Sequence, residues 1–230
     1  MTAPISADPV GRPPIPRPTA DRGPDARPSR HTSPLGVLDL RGAAGRDVWL
    51  SYPYDGAVVV CGLPGSGKST LLRAWSDSAP VVDPRATRTS FEAWMPAWLP
   101  YALYRPWARL RHMRWLRDEL RRGGPLLIHD CGSRSWMRWW LARTARGAGR
   151  PLHMVVLDVG PQEALSGQRA RRRLASRRVF ARHQRGLTRL LRQVDRGGLA
   201  GVPGFHSVVA LDLGQRERVT EVRFAPPADA

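Results

Sequence analysis

A three-layer α/β architecture, with a mainly parallel central sheet flanked by helices, is the fold class this 230-residue sequence predicts. Three observations lead there. Short β-branched runs recur along the chain, and the strongest are apolar throughout, as strands covered on both faces are. Helical segments, several of them dense in arginine, separate these runs. Glycine and proline stand at the junctions. Strands alternating with helices in this way build parallel sheets with helices packed on them.

Residues 1–34 carry Pro, Arg, Ser and Asp and hardly any large apolar side chain. Such a segment cannot bury enough surface to offset its ordering entropy, so a disordered tail is expected, with residues 35–230 as one domain. The tail holds five Arg against three Asp, which leaves the basic character to the domain. DVWLSY, from residue 47, alternates as a first, edge strand does. AVVVCG (57–62) is a continuous apolar run ending in glycine and reads as a fully buried strand; KSTLLRAWSDS continues as a helix. APVVD (79–83) is a second short strand. Residues 84–104, rich in Pro, Trp and Tyr, read as irregular or short helical structure. A strong helix spans 108–122 and is stopped by Gly123-Gly124-Pro125. LLIHD (126–130) is a third strand, and SWMRWWLARTAR a helix capped by Ser133 or Ser135 and ending at Gly147. LHMVVLDV (152–159) is a fourth strand, followed by helices over about 161–173 and 176–196. HSVVALDL (206–213) and RVTEVRF (218–224) close the chain as strands.

Lys and Arg number 37 against 19 Asp and Glu, a formal net charge of +18. That excess predicts an anionic partner: a nucleotide, another phosphorylated molecule or nucleic acid. Two cysteines, Cys61 and Cys131, make no disulfide framework and read as small buried side chains. The N-terminal residues lack a basic segment followed by an apolar run, so no signal peptide is expected, and no apolar stretch is long enough to cross a membrane. A soluble cytoplasmic protein is the expectation. The six histidines show no metal-ligand spacing, so no structural zinc is expected.

One stretch departs from the compositional trend. Lys68 is the single lysine among the 37 cations, and it stands in Cys61-Gly62-Leu63-Pro64-Gly65-Ser66-Gly67-Lys68-Ser69-Thr70. Gly62, Gly67, Lys68 and Ser69 fill every fixed position of GxxxxGK[ST], the P-loop pattern, between a buried strand and a helix. Its glycines let the backbone curl so that N–H groups point at phosphate oxygens, and the helix N-terminus adds its positive end. Lysine is a compact charge on a flexible stem that follows the β- and γ-phosphates; the planar arginine fork does not fit the same crevice. Residues Gly62 to Thr70 are therefore the expected site for ATP, with Ser69 supplying a hydroxyl to Mg²⁺. The second magnesium group would be an acid at the end of a neighbouring strand. Asp130 is the leading candidate, with Asp83 and Asp158 as alternatives.

The order of P-loop, short strand ending in Asp, long helix, strand–Asp, helix, strand and Arg-dense segment resembles the small P-loop kinases. It is most like the branch that holds polynucleotide kinases, zeta toxins and gluconate kinases, often labelled AAA-type ATP-binding proteins. The resemblance covers residues 56 to about 213. It is carried by GLPGSGKST, VVD at 81–83, LLIHDCGSRSWMRWWLARTAR and LHMVVLDVGPQEALSGQRARRR. It implies a P-loop NTPase fold and transfer of the γ-phosphoryl group of ATP to a hydroxyl. The alternative is a nucleic-acid-associated ATPase or ATP-dependent switch with no acceptor. By the same resemblance Asp83 is the general base toward the acceptor, with Arg85 and Arg88 as candidates to hold it. Asp83-Pro84-Arg85 departs from the doubled acid or D-x-x-R found there in the family. Arginines of the lid helix, Arg169 and Arg173 above all, are implied to reach the phosphates. Trp136, Trp139 and Trp140, three to four apart on one helix, read as core packing. Aromatics between Trp94 and Trp107, beside Arg105, Arg109 and Arg111, are candidates for stacking bases or sugars.

Overall fold

A computed structural model describes residues 30–43, 47–130, 132–171 and 175–225. Residues 1–29 of the expected tail, Cys131 and Arg173 lie outside the described residues. In chain order the strands are β1 (Arg30–Thr32), β2 (Gly36–Asp39), β3 (Val48–Pro53), β4 (Ala57–Gly62), β5 (Val81–Val82), β6 (Leu126–His129), β7 (Leu152–Leu157), β8 (Ser207–Leu211) and β9 (Val219–Ala225). The helices are α1 (Lys68–Ala74), α2 (Pro84–Trp94), α3 (Tyr101–Arg122), α4 (Ser135–Gly147), α5 (Pro161–Ala170), α6 (Arg177–Gly197) and α7 (Leu213–Arg218).

Six strands form one parallel sheet in the order β2-β8-β7-β4-β6-β5. The fold class is the one expected. β4 is buried at all six positions and sits between β7 and β6, with the β5 edge beyond β6. Its side chains alternate between two cores, as the pleat requires. Ala57, Val59 and Cys61 face the layer of α3, α4 and α6, where Leu116, Leu120, Leu141, Leu187 and Leu190 are buried. Val58 and Val60 face α1, whose Leu71 and Leu72 pack with Trp75, Leu50 and Val222.

β3 was expected as a first, edge strand. It is instead the middle strand of a separate parallel sheet ordered β1-β3-β9. β1 falls within the stretch expected as tail, and it pairs Arg30 to Thr32 with Val48 to Leu50. Segment 84–104 is more regular than its composition suggests. Asp83 caps α2 by accepting from Arg85 N at 2.9 Å, and Pro84 occupies the first turn, where its missing N–H costs nothing.

Two buried polar side chains hold the end of the sheet opposite the loop that follows β4. Arg150, 4 % exposed, has no carboxylate ion-pair partner among the described residues; its guanidinium donates to the carbonyls of Asp55 and Glu119 at 2.9 Å, and to that of Gly124. His153, also 4 % exposed, lies 2.8 Å from Ser207 Oγ through Nδ1. Burial first, and His206 second, push its pKa down to about 4. Because the folded-state value lies below the ordinary value of about 6.5, the unfolded chain takes up the proton first. Stability is then full above about pH 6.5 and falls as pH drops toward 4, by roughly 3 kcal/mol for this one group. Thermal melts at pH 7 and pH 4.5 are expected to differ more for the wild type than for His153→Asn. An equal difference in both would show that His153 does not couple to folding.

Candidate active site

β4 ends at Gly62 in the middle of the sheet, and Gly62 to Thr70 curl from it into α1. Gly65 has φ +95, and a Cβ there would run into the carbonyl oxygen of Ala164 on α5, so the loop can pack this closely only with glycine. Lys68 is 6 % exposed, and its Nζ donates to the carbonyls of Gly62 and Leu63, both at 2.8 Å. The ammonium is thus wrapped by the loop's own backbone.

The loop forms one wall of a cavity of about 510 Å³, lined by Lys68 and Ser69 and by Asp130 from the end of β6. β6 is the direct neighbour of β4, and Asp130 N donates to Val60 O at 3.2 Å, which carries the acid to the loop. Its Oδ2 accepts from Gly132 N at 2.8 Å. Asp158, an alternative for the same role, is drawn into a different cluster. Arg41 donates to it at 2.9 Å, and to Asp39 and Asp195 as well, tying β7 to β2 and α6.

Asp83, the expected base, does not line the cavity; its neighbour His129 does. One carboxylate oxygen caps α2 and the other lies 2.9 Å from His129 Nδ1, although the ring N–H is out of line for a hydrogen bond. Burial would raise the Asp83 pKa, but the imidazole and the Arg85 amide outweigh it, and the carboxyl is held below its usual range. Arg85, beside it, lines the cavity, whereas Arg88 pairs with Glu92 at 2.7 Å along α2.

The segment after β7 holds the expected lid, with Arg173 outside the described residues. Arg169 is exposed and outside the cavity lining; Arg171 lines it, and its Nη2 donates to Thr70 Oγ1 at 2.9 Å. α5 stops at Ala170, so Arg171 stands on the turn that follows it rather than on the helix. Gln168, buried, donates from Nε2 to Pro64 O at 2.9 Å and accepts from Ala175 N at 2.7 Å, strapping this segment to the loop.

Sequence reasoning missed His183, which lines the cavity from α6 and lies 2.7 Å from Ser133 Oγ through Nδ1. The available signal was its place among Phe180, Leu187 and Leu190, three, four and seven residues away on the buried face of that helix. Burial, then the charges of Arg134, Lys68 and Arg182, push its pKa down. The expected packing of all three α4 tryptophans does not hold. Trp140 packs on the core, while Trp136 and Trp139 are 52 % and 61 % exposed, and Trp136 lines the cavity.

A family model described as an AAA domain matches residues 58–192, more than half the chain, from β4 into α6. The chain belongs to the AAA domain family. Among solved structures, this AAA domain is similar to a candidate kinase from Chloroflexus aurantiacus, at 13% identity over 73% of this chain and 90% of that one, with a TM-score of 0.51. It is also similar to a structure of the PezAT toxin–antitoxin system of Streptococcus pneumoniae, at 14% identity over 74% and 71% of the two chains, TM-score 0.51. A gluconokinase from Sinorhizobium meliloti is similar at 18% identity over 74% and 89%, TM-score 0.43. No curated protein sequence matches. The family match makes the chain an AAA domain built around its P-loop, and the first two of these structures share its fold. Among its described residues no helix is long and apolar enough to cross a membrane.

Proposed function

We propose that this protein is a kinase that transfers the γ-phosphoryl group of ATP to a hydroxyl acceptor with the help of Mg²⁺. The observation that carries this reading is the placement of the single lysine. Lys68 is wrapped by the P-loop at the wall of a cavity that extends well beyond that loop, to Arg85 and His129 on the far side. In the kinase reading that second half seats the acceptor.

In this reading Gly62 to Thr70 cradle the triphosphate, and Lys68 follows the transferring group. Ser69 and Asp130, two hard oxygen donors on the cavity wall, fit a magnesium ion that takes its remaining ligands from phosphate and water. When bound, the ion neutralises charge on the phosphates. Arg171, joined to Thr70, lies on the side of β4 from which the lid reaches over. Asp83, held by the Arg85 amide and 2.9 Å from His129 at the cavity edge, takes the acceptor proton. A bond from the acceptor oxygen to the γ-phosphorus forms as the bond to the bridging oxygen breaks, and ADP leaves. Cationic stabilisation falls to Lys68 and Arg171; a part for Arg173 rests on the family resemblance alone.

A second reading, a nucleic-acid-associated ATPase, draws on one feature. Trp94 and Trp98 are each 79 % exposed and Trp107 is 62 % exposed, next to the arginines of α3. Labelled ATP with Mg²⁺, offered to nucleic-acid ends, nucleotide sugars and a metabolite extract, tests the two. Label transferred to one acceptor class is the expected result. Label released only as free phosphate, faster with nucleic acid, would establish the second reading instead.

A further inference from the structure

The cavity carries far more positive charge than a phosphoryl donor needs. Lys68, Arg85, Arg109, Arg134 and Arg171 line it, against one carboxylate, that of Asp130, among the described residues. These cations divide by topology. Lys68 and Arg171 belong to the loop after β4 and to the segment after β7. Arg85 follows β5, Arg134 follows β6, and Arg109 comes from α3 between them. In the sheet, β6 and β5 lie on one side of β4, and β7 lies on the other. Arg85, Arg109 and Arg134 therefore come from the β5–β6 side of the loop, opposite the segment after β7, and in the kinase reading that side takes the acceptor.

Among the described residues none of these three arginines has an ion-pair partner. Arg134 also acts on Arg109. Burial, then the charges of Arg134, Arg105 and Arg182, work against the charged form of Arg109. Like charges held together at such cost mark a place where a ligand supplies the counter-charge. A planar carboxylate is satisfied by one bidentate arginine, whereas three guanidinium groups arriving from three elements suit a tetrahedral anion with several oxygens. Trp136, half-exposed at the same wall, adds an apolar surface for the rest of the molecule.

We propose that the hydroxyl acceptor is itself phosphorylated, and that Arg85, Arg109 and Arg134 seat its phosphate. The inference rests on the kinase reading above and names the acceptor class for the same site. Transfer proceeds as described there, and the product keeps its original phosphate beside the new one.

The test is calorimetric. Protein saturated with Mg²⁺ and a non-hydrolysable ATP analogue is titrated with inorganic phosphate, and in a parallel run with acetate. One phosphate site that survives the bound analogue is expected, with acetate binding at least about ten-fold more weakly, as a multi-oxygen anion on several guanidinium groups requires. The double variant Arg109→Gln/Arg134→Gln should weaken that site by about ten-fold or more while the analogue affinity stays within about three-fold. Arg111→Gln, which removes an exposed α3 charge outside the cavity lining, should leave both unchanged. Loss of phosphate binding once the analogue is bound would overturn the proposal, as would equal binding of acetate. A double variant that loses the analogue as strongly as phosphate would assign these arginines to the donor and overturn it too. Failure of the wild type to bind the analogue at all would instead remove the kinase reading.

Discussion

Lys68→Ala is expected to lower ATP affinity by about 100-fold or more and to leave the fold in place, because one preorganised charge on a phosphate in a dry site is worth several kcal/mol. Its Nζ bonds are made to the carbonyls of Gly62 and Leu63. Water can reach those carbonyls once the side chain is cut back, so the cost to stability is modest. Lys68→Arg sharpens the result. This chain carries arginine at every other basic position, so a site that merely wanted charge would accept it. The planar fork has to enter a space already closed by the loop backbone, and ATP binding should fail in this variant as well. Binding of a fluorescent ATP analogue measures both. Unchanged affinity in Lys68→Ala would end the P-loop assignment.

Asp83→Asn is expected to lower the phosphoryl-transfer rate by about 10²–10⁴-fold, the usual contribution of a positioned base, with ATP affinity within a few-fold of wild type. The substitution separates two roles of one side chain. Asparagine caps helices about as well as aspartate, so the bond from Arg85 N to the side-chain oxygen, and with it α2, survives. What disappears is the negative charge 2.9 Å from His129 Nδ1. The measurement is kcat for the acceptor found in the transfer assay, beside ATP affinity. Transfer at the wild-type rate would reduce Asp83 to a cap.

Much of this site was legible without coordinates because local chemistry dictates it. A lysine kept in an arginine-rich chain, between a β-branched run and a helix, can be read by spacing alone, and the phosphate loop stands where that spacing places it. The strand-terminal acids were legible as a set, since an apolar run ending in Asp announces itself. Which acid faces the loop was a different matter. Asp130 does so because β6 pairs with β4, while Asp158 is captured by Arg41, 117 residues away in sequence. Sequence spacing carries no information about a partner at that separation.

The lid shows the same boundary. The family resemblance pointed to Arg169, while the helix ends one residue beyond it and Arg171 reaches Thr70 from the non-helical turn that follows. Likewise the α4 tryptophans have core spacing, yet a face is buried only if another element covers it, and α3 and α6 leave Trp136 and Trp139 uncovered. By itself, then, the sequence determined the parallel α/β class, the phosphate loop and the pool of acids and arginines from which a site could be drawn. Tertiary structure alone decided which of them meet: strand order put Asp130 beside the loop, set His129 beside Asp83 at the cavity, and brought Arg85, Arg109 and Arg134 from three elements to the same cavity. The reason is physical. Backbone propensity and periodicity act over a few residues, whereas a binding site is a juxtaposition of side chains fixed by strand pairing across the whole chain.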